Sequence, residues 1–157
     1  MNLKSMWLIA LLTAGLALLL DAQAEGAAGG RTPSAPSAVV DFANLADGDV
    51  VPPDFTVRFT ISGMGIAPAG TAIENTGHFH LLIDLPELPD LDQPLPANEH
   101  IRHYGKGETL AELDLAEGKH TLQLLLADHA HVAHDPPVMS KVITITVSSA
   151  AALPADS

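Results

Sequence analysis

Short segments in which apolar and polar residues alternate recur along the chain, and turns rich in Gly and Pro separate them. In the clearest example, Phe55, Val57, Phe59 and Ile61 occupy every second position. Because successive side chains on a β-strand point to opposite faces, this pattern turns one apolar face toward a core. We find no long helical period in this part of the chain. The sequence therefore predicts a fold made almost entirely of strands.

Seven segments have the character of strands. They are predicted at 39–42, 55–61, 78–84, 99–104, 109–115, 120–128 and 141–147. Short strands at this spacing, each followed by a turn signal, are typical of an all-β, immunoglobulin-like or fibronectin-like antiparallel β-sandwich. The chain has 0 Cys, so its hydrophobic core must hold the sandwich without disulfides. Sites built on thiolate are excluded for the same reason.

The two ends of the chain differ in composition from the middle. Residues 1–24 have a basic start, an apolar run and a small-x-small sequence, as a secretory signal peptide does. We therefore expect a periplasmic or secreted protein with no membrane attachment once the signal is cleaved. Residues 25–37 and 150–157, rich in small residues, are predicted to be a flexible linker and a flexible tail. They flank one sandwich domain at 38–149.

The chain is strongly acidic, with a formal net charge of -12 at pH 7 when His is counted as neutral. Such a charge repels nucleic acid and anionic membrane surfaces and attracts cations. It therefore excludes nucleic acid as the expected partner. Acidity is also a common means of staying soluble, so it is weak support for any particular ligand.

The predicted strand at 78–84 carries two His on one face. His78 and His80 lie on either side of Phe79, and residues at i and i+2 of a strand are roughly 7 Å apart at the backbone. Two imidazoles at this separation can bind one metal ion. Asp84 shares their face and is predicted to hydrogen-bond a ligand rather than to bind the ion itself. The alternative is that both rings simply form hydrogen bonds at the margin of a sheet.

Most of the other His residues are predicted to lie near this pair. Because consecutive antiparallel strands alternate in direction, the loops after the second, fourth and sixth strands share one end of the sandwich. The loop after the sixth strand is predicted at 128–137. The candidate metal ligands at this end are His78, His80, His103, His129, His131 and His134. Lys106, in a Gly-Lys-Gly turn at the same end, is predicted to help hold a small anion.

Several neutral imidazoles without thiolate suit copper or zinc. A thioether ligand from Met64 or Met139 would favour copper(I), because sulfur is a soft ligand. Protons should compete with the metal as the pH falls through about 6.5, where free imidazoles protonate. His120 begins the sixth strand in phase with apolar residues and is predicted to be structural, with its ring bonded at a corner of the sandwich. His100 lies toward that same end of the sandwich.

Five separated motifs support a resemblance to one protein family. They are Met64-x-x-Ala67-Pro68-Ala69-Gly70, Gly77-His78-x-His80-Leu81-Leu82-Ile83-Asp84, His103-x-Gly105-Lys106-Gly107-x-Thr109, Gly118-x-His120-Thr121-Leu122-x-Leu124 and His131-x-x-His134-Asp135-Pro136-Pro137. In this order they resemble DUF4399, a family of small exported bacterial proteins with a domain of unknown function. The resemblance covers roughly 39–147 and implies export and a single sandwich domain. Members of the family typically have His where this chain has Phe79, which implies that this position is not an essential ligand.

Three functions are compatible with these features. The leading hypothesis is an exported, non-catalytic sandwich that binds a transition metal, copper or zinc, at its His-rich end. A second hypothesis is an envelope interaction module that binds a protein or a glycan and whose His residues are structural. A third is a small metalloenzyme, which would need an open coordination position and a substrate. Metal binding by the folded protein separates the second hypothesis from the other two, and turnover identifies the third.

Overall fold

The structure is a computed structural model that describes residues 30–152. Ten strands follow one another along the chain: β1 (Val39–Phe42), β2 (Val50–Val51), β3 (Asp54–Ser62), β4 (Gly65–Ile66), β5 (Thr76–Ile83), β6 (Ile101–Tyr104), β7 (Leu110–Asp114), β8 (Gly118–Ala127), β9 (Ala133–Met139) and β10 (Ile143–Val147). A single 3-10 turn, Ser149–Ala152, follows them. The prediction of an almost entirely β fold is confirmed.

The strands form two sheets. The smaller sheet has the order β1-β3-β7, and all its pairs are antiparallel. The larger sheet has the order β2-β10-β8-β5-β4, with β6 also paired to β5 and β9 also paired to β8. Of the seven predicted strands, the first, second and fifth thus form one sheet, and the other four form the second sheet. This division is that of an immunoglobulin-like sandwich, which confirms the predicted fold class.

The main core lies between the two sheets. On β3, Val57 and Phe59 are buried, and on β5 Phe79 and Leu81 face them from the opposite sheet. The rings of Phe59 and Phe79 lie 5.1 Å apart between centroids. The alternation seen in the sequence therefore identifies the inward face of both strands.

The larger sheet also buries part of its outer face. A second, smaller hydrophobic cluster contains Leu82 and Leu125 from the sheet and Leu95 from the connection between β5 and β6. This Pro-rich connection, which cannot continue a helix or a ladder, packs over the sheet instead. Both faces of β5 are consequently buried from Gly77 to Ile83.

The loop predicted at 128–137 is shorter than expected, because Ala133–Met139 forms strand β9. Two consecutive prolines, Pro136 and Pro137, argued against a strand here. They lie in an irregular part of the strand, since Ala127 pairs with Ala133 while Leu126 pairs with Val138. Pro is accepted in such a bulge, where no ladder hydrogen bond is required of it.

Part of the predicted flexible linker at 25–37 contacts the sandwich. Residues 31–34, here called the N-terminal strap, run alongside β9, and Pro33 forms a parallel bridge with Asp135. The Arg31 side chain donates hydrogen bonds to the carbonyls of Ala133 and His134. The sequence of the strap is poor in apolar residues, so its docking through polar contacts could not be predicted from hydrophobic pattern.

The predicted signal peptide at 1–24, residues 25–29 and residues 153–157 lie outside the described residues. Within residues 30–152, no helix is long and apolar enough to span a membrane.

Candidate metal centre

Strands β5 and β6 bring three His rings together on the outer face of the larger sheet. His103 on β6 lies directly opposite His80 on β5, and His78 is two residues before His80. One ring nitrogen from each of these residues can be chosen so that all three lie within 4.8 Å of one another. Direct cross-strand neighbours and i, i+2 neighbours share a face, so the ladder register alone produces this triangle.

A fourth ring, that of His131, comes from the turn between β8 and β9. Its centroid lies 4.7 Å from that of His103, 5.0 Å from that of His78 and 6.1 Å from that of His80. The other three centroids are 4.9 to 5.0 Å apart. These four residues are called the His cluster below. His78 and His80 are fully buried, His131 is half-buried and His103 is exposed, so the cluster opens to solvent on one side.

Gly105 makes room for the ring of His103. A Cβ atom at position 105 would overlap that ring at Cε1 and Nε2. The missing side chain therefore lets the imidazole lie flat against the backbone and turn toward β5. This role of Gly105 was not predicted, and a His followed two residues later by Gly is the sequence signal that could have indicated it.

The buried rings have no hydrogen-bond partners among the described residues. Both nitrogens of His78 and both of His80 are inaccessible to solvent and unpaired. An unpaired buried polar group costs on the order of 1–3 kcal/mol. Four such nitrogen atoms in two neighbouring rings would lower the stability of the fold unless another group binds them. A metal ion between the rings would bind one nitrogen of each ring and remove that part of the cost.

Burial also keeps the rings neutral, which is the form that binds metal. Desolvation, together with the neighbouring His103 and His131, lowers the pKa of His78 to about 4. Desolvation, together with the neighbouring His78, His103 and His131, lowers the pKa of His80 to about 3. Desolvation and the nearby His131 also lower the pKa of His103. Mutual repulsion among protonated rings thus adds to burial at all three positions.

The geometry of the triangle is close to that of a metal site. Nitrogen ligands of tetrahedral zinc lie about 2.0–2.1 Å from the metal and hence about 3.3 Å from one another. The observed limit of 4.8 Å exceeds this separation by about 1.5 Å, an amount that small rotations of the rings can close. With His131 as a fourth ligand, or with solvent on the open side, the coordination shell would be complete.

Two of the predicted ligands lie outside the His cluster. His134 is fully buried, but its Nε2 lies 3.0 Å from the position that a Cβ at Gly77 would occupy. Because Gly77 and His78 are consecutive on β5, His134 lies on the opposite side of that strand from His78. His129 is exposed and makes no ring contact with the cluster. The spacing of these residues in the sequence does not show which side of the sheet each side chain faces.

Asp84, which was predicted to hydrogen-bond a metal ligand, makes its hydrogen bonds elsewhere. Strand β5 ends at Ile83, and Asp84 adopts a left-handed backbone conformation with φ 51°. Its carboxylate accepts hydrogen bonds from the Thr121 amide at 2.8 Å and from His120 Nδ1 at 2.6 Å. Asp84 therefore closes a corner at the far end of β5 and does not hydrogen-bond a ring of the His cluster.

His120 completes this corner. Its Nε2 lies 2.8 Å from the Ala116 carbonyl, so both ring nitrogens face acceptors. Desolvation alone would lower the pKa of His120, but the hydrogen bonds to Asp84 and Ala116 outweigh it and raise the pKa. The contacts are those of a structural imidazolium. His100 lies near this end of β5 as well, with Nδ1 3.0 Å from the Ile83 carbonyl.

Three other predicted contributors are engaged elsewhere. The amide of Lys106, which was predicted to help hold an anion, donates to the Glu108 carboxylate at 2.8 Å. Met64 packs against the main core, and Met139 packs against the smaller cluster. Both Met side chains thus pack in hydrophobic clusters, and these contacts give no support to a thioether ligand for copper(I).

Substitution of Gly105 tests the geometry of the His cluster without changing a ligand. Gly105→Ala should displace the His103 ring and lower the affinity for Cu²⁺ or Zn²⁺ by about 10-fold or more, as the loss of a group that orients a ligand does. Because His103 is exposed, the free energy of unfolding should change by less than about 1 kcal/mol. Titration calorimetry and urea unfolding measure the two quantities.

Gly65→Ala is the matched control for this variant. A Cβ at position 65 would make only an ordinary contact with Thr76 Cγ2 at 3.4 Å, and its surroundings contain no His ring. Metal affinity should be unchanged in this control. Unchanged affinity in Gly105→Ala as well would mean that the His103 ring does not take part in binding.

Comparison with known proteins identifies a family for this chain. Neither the curated proteins nor the solved structures give a match. Residues 57–148, which include most of β3, all of β4 through β10 and all four residues of the His cluster, match the domain of unknown function DUF4399. This match covers more than half of the chain and confirms the resemblance seen in the sequence motifs. The chain belongs to the DUF4399 family.

Proposed function

We propose that this protein is an exported, non-catalytic binder of a divalent transition metal, Cu²⁺ or Zn²⁺. The single observation that carries the proposal is the triangle of His78, His80 and His103, in which two rings are buried without hydrogen-bond partners. His120 differs from these two rings because it has an acceptor at each nitrogen, whereas His134, on the other side of β5, is also buried without a hydrogen-bond partner among the described residues. The export part of the proposal rests on the signal-like sequence at 1–24.

The ligand set favours Cu²⁺ over the other candidates. Imidazole is a ligand of intermediate softness that suits both copper and zinc, and a site composed only of nitrogen ligands binds Cu²⁺ most tightly among the divalent first-row metals. Copper(I) is disfavoured because both candidate thioethers pack into hydrophobic clusters. The acidic surface of the chain would add attraction for any cation.

A non-catalytic role is favoured by the state of the nearby carboxylates. Asp128 and Glu108 are the acidic groups whose charges act on the rings of His78 and His103. Asp128 accepts hydrogen bonds from two backbone amides of its own turn, and Glu108 accepts one from Lys106. Metal-assisted hydrolysis needs a base that is free to take a proton from the attacking water. Asp128 has both carboxylate oxygens engaged in hydrogen bonds and Glu108 has one, so each is less available as such a base.

The experiment is titration of the purified domain with Cu²⁺ and with Zn²⁺ by calorimetry at pH 7.5 in a buffer that does not bind metal. We expect one ion per chain, and for Cu²⁺ an electron paramagnetic resonance spectrum with splitting from at least three nitrogens. His100→Ala is the control, since His100 bonds the Ile83 carbonyl away from the cluster and its loss should leave binding unchanged. A folded protein that binds neither metal would refute the proposal and favour the interaction module.

A further inference from the structure

We infer that Thr32, acting through Asp128, holds the ring of His131 within the His cluster. The inference deepens the proposed function, on which its metal-binding consequence rests. It makes the N-terminal strap, which lies outside the 57–148 family match, a positioning element of the candidate metal centre.

The turn that carries His131 is held by hydrogen bonds of Asp128. Asp128 is 5 % exposed, and its Oδ1 accepts hydrogen bonds from the amides of Ala130 at 2.8 Å and Val132 at 3.1 Å. The backbone of Asp128 also accepts from the His131 amide at 3.0 Å and donates to the Val132 carbonyl at 2.8 Å. One buried residue thus makes four hydrogen bonds within residues 128–132.

His131 itself has an unusual backbone conformation. Its φ is 67°, in the left-handed region that non-Gly residues seldom adopt. Such a conformation persists only when its surroundings enforce it. The hydrogen bonds of Asp128 do so from one side, and the Leu95 amide, which donates to the His131 carbonyl at 2.8 Å, does so from the other. The resulting backbone geometry directs the ring toward His78 and His103.

Thr32 links this turn to the N-terminal strap. Oδ2 of Asp128, the oxygen that the turn does not use, accepts a hydrogen bond of 2.5 Å from Thr32 Oγ1. Thr32 is itself fixed on β9, because its carbonyl accepts from the Asp135 amide at 2.9 Å. The Thr32 hydroxyl therefore ties the carboxylate that organises the turn to a segment 96 positions earlier in the chain.

The same link explains why the Asp128 carboxylate stays charged although it is buried. Desolvation alone would raise the pKa of this carboxyl, but the hydrogen bonds from Thr32, Val132 and Ala130 outweigh it and lower the pKa. Loss of the Thr32 hydroxyl would leave one oxygen of a buried carboxylate without its partner. The carboxylate would then rotate toward other donors or solvent. The turn would no longer hold the His131 ring against the other rings of the His cluster.

The test compares Thr32→Val, which removes the hydroxyl at nearly constant volume, with Thr32→Ser, which keeps it. In the metal-free protein, the nuclear Overhauser contact between the rings of His131 and His103 should disappear in Thr32→Val and return in Thr32→Ser. The affinity for Cu²⁺ should fall about 10-fold in Thr32→Val, as expected when a ligand loses its support. The copper spectrum should also lose one nitrogen ligand, which a general loss of stability would not cause.

Ser34→Ala is the matched control, because the Ser34 hydroxyl bonds the Pro136 carbonyl from the same strap but does not touch Asp128. It should leave the ring contact and the affinity unchanged. If Thr32→Val fails to fold, Thr32→Ala removes the same hydroxyl with a smaller side chain and is expected to give the same changes. An intact ring contact in Thr32→Val, or equal effects of Ser34→Ala and Thr32→Val, would overturn the inference. A wild-type protein that binds no metal would instead refute the proposed function, and the ring contact would still decide the inference.

Discussion

His78→Ala and His103→Ala should each lower the affinity for Cu²⁺ by at least about 100-fold. Removal of groups that merely orient a ligand costs 10–100-fold, so the loss of a ligand itself should reach or exceed the upper end of this range. His78 and His103 come from different strands, and their rings meet with centroids only 4.9 Å apart. Calorimetric titration of each purified variant measures the affinity.

The double variant distinguishes a shared ion from scattered surface sites. Ligands of one ion are coupled, so the loss in the double variant should be clearly smaller than the sum of the two single losses on a free-energy scale. His120→Ala is the control, because this ring is bonded to Asp84 and Ala116 at the far end of β5. It should reduce stability by about 1–3 kcal/mol, because Asp84 Oδ2 and the Ala116 carbonyl both lose their partner, with no effect on metal affinity. Small, additive losses at all three positions would contradict a common metal centre.

The sequence predicted the architecture well because it depends on a strong local signal. Alternation at Phe55, Val57 and Phe59 specifies which face of a strand is buried. The buried faces of strands in the two sheets then pack against each other and form the core. The same signal placed His78 and His80 together, since a period of two needs no knowledge of the rest of the fold.

The membership of the metal centre required information that local patterns do not contain. His103 joins the cluster because it pairs with His80 in the ladder, and this register is set by long-range packing of β6 against β5. His134, three residues after His131, falls on the other side of β5 because β9 begins at Ala133. The strand prediction missed β9 because of its two prolines, and it therefore did not place His134 on this strand.

The N-terminal strap was missed for a related reason. Its contacts to β9 and Asp128 are hydrogen bonds of Arg31, Thr32 and Ser34, and small polar residues next to Pro read equally well as a flexible linker. The sequence shows which residues can donate hydrogen bonds, but the buried acceptor is 96 positions away. Contacts of this kind become visible only when the fold is known.

The metal-free protein should lose a few kcal/mol of stability as the pH falls from 6.5 toward 4. An unfolded His has a pKa of about 6.5, whereas burial lowers the pKa of folded His78 to about 4 and that of folded His80 to about 3. Between these values the unfolded chain binds more protons than the folded protein. The stabilising contribution of the neutral rings is therefore complete above pH 6.5 and declines as the pH falls toward the folded pKa values.

Urea unfolding at several pH values between 6.5 and 5 measures this effect, to which the lowered pKa values of His103 and His134 add with the same sign. His120 has the opposite sign, because its raised pKa gives a contribution that is complete below pH 6.5 and is lost as the pH rises. Asp128, with a lowered pKa, loses its contribution only below about pH 4. Neither group should therefore contribute much to the slope in the chosen window.

His80→Leu provides the decisive comparison. The variant removes one titrating ring and places an apolar side chain beside Leu82 and Leu125, which already pack on this face. The dependence of the unfolding free energy on pH should become shallower by about 1 kcal/mol per pH unit, the value for one proton. A slope equal to that of the wild type would mean that the His80 ring titrates as it does in the unfolded chain. A buried, neutral ring at this position can bind a metal ion without competition from a proton. A slope equal to that of the wild type would therefore also weaken the case for the metal centre.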